Sequence, residues 1–362
     1  MTWPCWHALA SRPGSRWRDL EGCLLFDALT LLTGQTSAYA LAAALLVALL
    51  VDHVLGEPPA RLHPVVWMGN YLNWAGRRVQ RVAWQPSSIA AGAAAVPYPK
   101  DFKVFWLAAI YWIAGAAGWL IALDALQRVV MQLPAWLAAL LLGLLLKPLL
   151  AWAMLKSEVR AVDAALAHSL EVGRERLSWL VSRDVSALSE AQVRESAIES
   201  LAENLNDSVV APIFWFVLLG LPGAALYRFA NTADAMWGYR GVYKGQNWEW
   251  AGKWAARADD VLSWLPARLT ALLLVLASRA RWMPVCCEAA KTPSPNSGWP
   301  MATMALALDI RLGKPGVYVL NPAGRQPTRT DTARAVMYAE TVTVAVVCVA
   351  LPALVLRSMV VS

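Results

Sequence analysis

Four carboxylates, Glu195, Glu199, Glu203 and Asp207, recur every fourth residue in one stretch of this chain. On a helix that spacing stacks them along one face. Like charges so placed repel by about 0.2–0.5 kcal/mol per pair, so cations or a bound metal should sit among them. Arg183, Arg194, Arg240, Arg257 and Arg268 thread through the same part of the sequence. A guanidinium fork matches phosphate oxygens, and hard carboxylate oxygens with few histidines suit magnesium. The chemistry is that of a phosphorylated, metal-bridged substrate. A solvated helix face or a buried ion-pair network uses the same residues, and residue types alone leave these readings open.

Other polar residues border apolar stretches. Asp52, Glu57 and His63 lie in DHVLGEPPARLHPVV, where they either rim a pocket or mark a helix stop. Asn231, Asp234, Tyr239 and Arg240 follow one apolar stretch, and Arg257, Asp259, Asp260 and Arg268 open another. Ser294 and Asn296 sit in SPNSGWP, a small-residue turn that can offer backbone N–H groups to an anion or serve only as a turn. Gly252-Lys253 lacks the hydroxyl residue of a phosphate-binding loop, and no dinucleotide fingerprint or serine elbow occurs. Five cysteines without a CxxC pair and four scattered histidines argue against a disulfide framework or a structural zinc site.

The elements that must position these groups are membrane helices. The chain is 58% hydrophobic and 16% charged, with a mean hydropathy of +0.43 and 20 tryptophans. Soluble domains are nearer 45–50% apolar and about 25% charged. An all-α, polytopic integral membrane protein with cytoplasmic helical active-site segments follows. Apolar runs predict spans near residues 39–55, 104–126, 134–155 and 342–356, with Lys147-Pro148 marking a kink or polar lining. Stretches 209–226 and 261–276 contain Pro or Arg and are predicted as partly inserted helices, which leaves the polar blocks on one side. Residues 1–37 are a lead-in without signal-peptide layout, and 38–362 form one membrane-embedded domain; Ser87 to Pro99 is a loose loop. The net charge of +7 is scattered, which suits cytoplasmic loops and not nucleic acid.

The blocks, in order, resemble the adenosylcobinamide-phosphate synthase family, the CbiB/CobD membrane proteins. The resemblance covers roughly residues 41–318. It rests on the D-x-x-x-G-[DE]-P…HPV block from Asp52, on LSWLVSRD ending at Asp184 and on R-x-x-x-x-E-S-x-A-E-N-x-x-D from Arg194 to Asp207. API F at Ala211, N-T-x-D-x-M-x-G-Y-R from Asn231 to Arg240, A-R-x-D-D…P-A-R-L from Ala256 and SPN from Ser294 complete it. Departures occur where Glu195 replaces a small apolar residue, Ser208 a glycine, and Met301 stands near a usual glutamate. Leu306 and Asp309 replace small residues and glycine, and the tail after Tyr318 is shorter and lacks an acidic segment.

The resemblance implies a multi-pass protein of the bacterial cytoplasmic (inner) membrane with its active site facing the cytoplasm. It implies an ATP- and Mg2+-dependent ligase that joins aminopropanol phosphate, or a related amino alcohol phosphate, to adenosylcobyric acid. Catalytic residues would be Glu199, Glu203 and Asp207, with Glu199 taking the amine proton. Glu203, Asp207, Asp234 and Asp260 would hold the metal, and the five arginines would clamp phosphates. Asp52, His63, Asn204, Asn231, Tyr239, Ser294 and Asn296 would contact substrate. The lipid bilayer and other membrane enzymes of cobalamin assembly are the further partners expected. A non-catalytic membrane sensor on the same scaffold and a transporter are the rival functions.

Overall fold

The computed structural model describes residues 39–83 and 99–361, so the expected lead-in (1–37) and nearly all of the expected loose loop (87–99) lie outside the described residues. Helices α1 (Tyr39–Leu55), α2 (Pro64–Gln80), α3 (Phe102–Val130), α4 (Ala135–Leu146) and α5 (Trp152–Leu166) come first. Then follow α6 (Leu170–Leu177), α7 (Glu190–Leu205), α8 (Ala211–Leu219), α9 (Leu221–Trp237) and α10 (Lys253–Ser278). Helices α11 (Trp282–Ala289), α12 (Gly298–Leu308) and α13 (Arg329–Val361) close the chain. Two short antiparallel hairpins interrupt this order: β1 (Val242–Tyr243) with β2 (Gln246–Asn247), and β3 (Leu312–Lys314) with β4 (Tyr318–Leu320). The protein is all-α and polytopic in character.

Four apolar helical runs are long enough to cross a membrane: Phe102–Val130, Ala135–Leu166, Lys253–Ser278 and Arg329–Arg357. Two contain an expected span, and Ala135–Leu166 covers all but the first residue of a third. The fourth includes residues 261–276, expected as a partly inserted helix, within one continuous 26-residue helix that passes through Pro266. A proline removes the N–H that would bond the carbonyl four residues back, here Leu262. Trp215 Nε1 donates to that carbonyl at 3.0 Å, so the helix continues. By the same measure α1 is a shorter apolar helix in the described residues. The expected single helix over 209–226 is instead divided at Gly220, whose φ of +74° favours glycine. Gln127 Oε1 accepts the next N–H, from Leu221, at 2.7 Å.

Helix α9 runs through the centre, with Tyr227, Phe229 and Trp237 fully buried, and packs against α2, α3, α8 and α10. Gly115 on α3 permits close approach, since a Cβ there would lie 2.4 Å from the Tyr71 ring and 2.6 Å from Phe229. Helix α7 starts with a capping box between Ser189 and Gln192. It continues into α8 through one π turn, Asn206–Val210. Such turns widen a helix and re-aim the side chains around them.

Candidate functional site

The acidic row does not point one way. A four-residue step advances about 40° beyond a full turn, so four acids sweep about 120° of helix surface. Glu195 faces the β3–β4 hairpin and pairs with Arg311 at 3.4 Å. Burial pushes its carboxyl above the usual range. Glu199 pairs with Arg183 at 3.3 Å and accepts a short hydrogen bond from the Tyr318 hydroxyl. Glu203 comes next, and its carboxylate accepts no hydrogen bond from a described residue; desolvation, then Asp207 and Glu199, push it up to about 8. The repulsion predicted from spacing is thus relieved for Glu195 and Glu199 by arginines and persists at Glu203.

Asp207 is the second residue of the π turn and is gripped from three sides. Asn206 Nδ2 and the Tyr227 hydroxyl donate to Oδ1 at 2.8 and 3.3 Å, and Asn231 Nδ2 donates to Oδ2 at 3.2 Å. Arg228 donates to the Asp207 carbonyl at 3.2 Å and to Ser208 Oγ at 3.1 Å. Helix α9 also brings Asp234 into electrostatic range, and α10 brings Asp259 and Asp260. Desolvation, then Asp260 and Asp207, push Asp234 up to about 6. One oxygen of Asp259 is buried without a hydrogen-bond partner among the described residues.

No three His, Cys, Asp or Glu side chains among the described residues already form a metal-holding group. The donor set still fits magnesium, which takes one or two carboxylates together with substrate phosphates. One Asp259 oxygen has no hydrogen-bond partner among the described residues, and the Glu203 carboxyl stays raised although Lys314 is in its electrostatic range.

Beside the row lies a polar cavity of about 170 Å³, lined by Ser182, Arg183, Glu199, Ser200, Glu203 and Lys314, among others. Asn204 also borders it, donating to Ser200 Oγ at 3.3 Å. Arg183 donates to Ser196 Oγ at 2.6 Å, while its buried Nε lacks a partner among the described residues. Tyr239 reaches Ser182, and its ring stacks on Tyr243 at 3.6 Å between centroids. Tyr239 also lines a larger cavity of about 420 Å³, with Arg77, Lys244 and Trp248.

Asp52, Glu57 and His63 form a separate cluster around Lys147. The ammonium lies 3.2 Å from Asp52 Oδ1 and 2.7 Å from Glu57 Oε2, and its side chain is 3% exposed. Asp52 Oδ2 accepts from the Ala153 N–H at 2.7 Å. His63 Nε2 lies 3.2 Å from Glu57, and its Nδ1 caps α2 by accepting from Val65 N. This cluster joins the turn from α4 into α5 to the end of α1. Arg228 is in electrostatic range of both Glu57 and Asp207, so the two clusters adjoin.

The arginines are scattered. Arg183 lines the small cavity, and the exposed Arg240 is in electrostatic reach of Asp260. Arg194 is held by Asp163 at 3.3 Å and by a short bond to Glu190. Arg257 lies over Phe105 beside an apolar groove that also contains Trp112 and Trp254. Arg268 donates to Asn296 Oδ1 at 2.7 Å and to the Pro295 carbonyl at 3.2 Å. Asn296 Nδ2 in turn donates to the Asp260 carbonyl at 2.7 Å, and Ser294 Oγ accepts from the Asn296 and Ser297 N–H groups. The SPN turn is therefore tied to α10 by side-chain bonds.

Sequence reasoning assigned no role to Arg228, Tyr227, Lys314 or Tyr318. Arg228 carried a signal, a cation at the edge of an apolar stretch, where ionisable residues are costly. Lys314 and Tyr318 carried none, because only the hairpin brings them to α7.

The model of the CobD/Cbib protein family matches residues 45–349. A protein of Methanothermobacter thermautotrophicus named probable cobalamin biosynthesis protein CobD is 40% identical over 76% of this chain and 85% of its own length. One of Thermococcus kodakarensis with the same name is 40% identical over 80% and 88%. The cobalamin biosynthesis protein CobD of Chromobacterium violaceum is 39% identical over 80% and 89%. No solved structure matches. With the family model spanning most of the chain and relatives near 40% identity, the chain belongs to the CobD/Cbib family.

Proposed function

We propose that this protein is an amide-forming ligase of cobalamin biosynthesis in the bacterial inner membrane. It would join aminopropanol phosphate to adenosylcobyric acid with ATP and Mg2+, from the cytoplasmic side where ATP is available. The observation that carries the reading is the meeting of Glu203, Asp207 and Asp234 with Asp259 and Asp260, from three helices, beside a cavity of mixed charge.

An unactivated carboxylate needs activation before an amine can displace its oxygen. A carboxylate oxygen of adenosylcobyric acid attacks the γ-phosphorus of ATP, and ADP leaves. The amine nitrogen then attacks the acyl carbon, inorganic phosphate leaves, and the amine proton passes to a base. Glu203 suits that role better than Glu199, since Glu199 is engaged by Arg183 and Tyr318. A carboxyl near 8 is matched to an amine proton at neutral pH. Magnesium, when bound, would neutralise phosphate charge; Asp207, Asp234, Asp260 and the unpartnered Asp259 are the residues to hold it. The 420 Å³ cavity lined by Tyr239 has room for a nucleotide. Replacing Asp207 with Asn should abolish ATP-dependent amide formation by purified protein while the elution profile and helical content persist. Retained turnover would refute the assignment.

A further inference from the structure

The β3–β4 hairpin contributes a cation to the small cavity. Lys314 is the cross-strand partner of Tyr318, so both side chains lie on one face of the hairpin. Tyr318 is fixed to Glu199 through its hydroxyl, which turns that face toward α7. Lys314 thereby borders the same cavity as Arg183. It forms no ion pair with a described residue within contact distance, although Glu203 is in its electrostatic range.

Size and charge restrict the occupant. About 170 Å³ is well below the roughly 300–1,000 Å³ of pockets for drug-sized ligands, which excludes a whole nucleotide or a macrocycle. Arg183 and Lys314 together with Glu199 and Glu203 in the cavity wall present both signs to a single small molecule. A short zwitterion with an anionic phosphate and a primary ammonium matches that wall. A phosphate monoester offers an acceptor to the Arg183 Nε, which has none among the described residues, and a counter-charge to the exposed Lys314 ammonium.

We propose that Lys314 and Arg183 hold the phosphate of the amino alcohol substrate in this cavity, which makes Lys314 a specificity-determining residue for the phosphorylated amine. The inference rests on the amide-ligase reading above and gives that reaction its amine site. The ammonium end is left beside Glu203, the group assigned to take its proton.

The test uses the full chain purified in detergent. Amide formation is measured while aminopropanol phosphate, free aminopropanol and ATP are varied in turn. Lys314→Met should raise KM for aminopropanol phosphate roughly tenfold to a hundredfold, the effect of one lost charge-assisted contact. KM for ATP should stay within about twofold, the preference over free aminopropanol should shrink by the same factor, and Lys314→Arg should restore most of it. An unchanged KM for the phosphorylated amine, or an equal rise in KM for ATP, overturns the proposal. If the unaltered protein forms no amide, the ligase reading fails by itself. Calorimetric titration with aminopropanol phosphate then decides the cavity: binding lost in Lys314→Met supports the site, and no binding or equal binding overturns it.

Discussion

Glu203 provides the sharpest physical test of the acidic centre. Its carboxyl is pushed up to about 8 from an ordinary 4.5, first by desolvation and then by Asp207 and Glu199. A folded-state value above the unfolded one means that folding favours the protonated form. The stability so gained is fully present below about pH 4.5 and is lost as pH rises through about 8. Glu203→Gln cannot ionise and keeps that stability throughout. Between pH 5.5 and 7.5 the full shift corresponds to about 2.5 kcal/mol, and water reaching a part-exposed carboxyl reduces this to roughly 1–2 kcal/mol. For a chain of this length that is about 2–5 °C in melting temperature. The assay is thermal unfolding of both proteins in detergent with divalent cations chelated, followed by circular dichroism at several pH values. The variant should gain little at pH 5.5 and several degrees at pH 7.5. A gain independent of pH, or a loss that grows with pH, would show that Glu203 is compensated in the folded protein and would remove its candidacy as base.

Other outcomes follow from single contacts. Lys147→Met strands Asp52 and Glu57 without their buried cation and should destabilise by about 3–5 kcal/mol; adding Asp52→Asn should recover part of this in thermal melts. Arg194→Met should lower melting temperature through its pairs with Asp163 and Glu190, yet leave KM for ATP within about twofold by kinetic assay. Gly220→Ala places a Cβ at φ +74° and 2.5 Å from Gln127, and should cost about 1–3 kcal/mol as read by thermal unfolding.

The chain's covalent order was enough to indicate much of the scaffold. Runs of apolar residues long enough to cross hydrocarbon need no partner to be recognised, because a helix satisfies its own backbone. The acids on α7 were visible for a similar local reason, since a fixed rotation per residue converts spacing into direction. At 261–276 the helix runs on through Pro266, and a tryptophan 47 residues away bonds the Leu262 carbonyl that the proline leaves free. Glycine 220 and the π turn likewise changed where the acids and the following apolar residues point.

What only the tertiary structure decided is which charges meet. Arg194, Arg268 and Arg183 are all engaged by neighbours, but Arg183 also lines the small polar cavity and keeps a buried Nε without a partner among the described residues. Lys314 and Tyr318 reach Glu203 and Glu199 from more than a hundred residues away, through a hairpin whose Pro315-Gly316 turn is local but whose packing partner is not. Sequence by itself determined a helical membrane protein with acids and arginines in excess of what its lipid-facing surface could use. The partnership of each charge depends on contacts between distant helices, and those are set by packing rather than by local spacing.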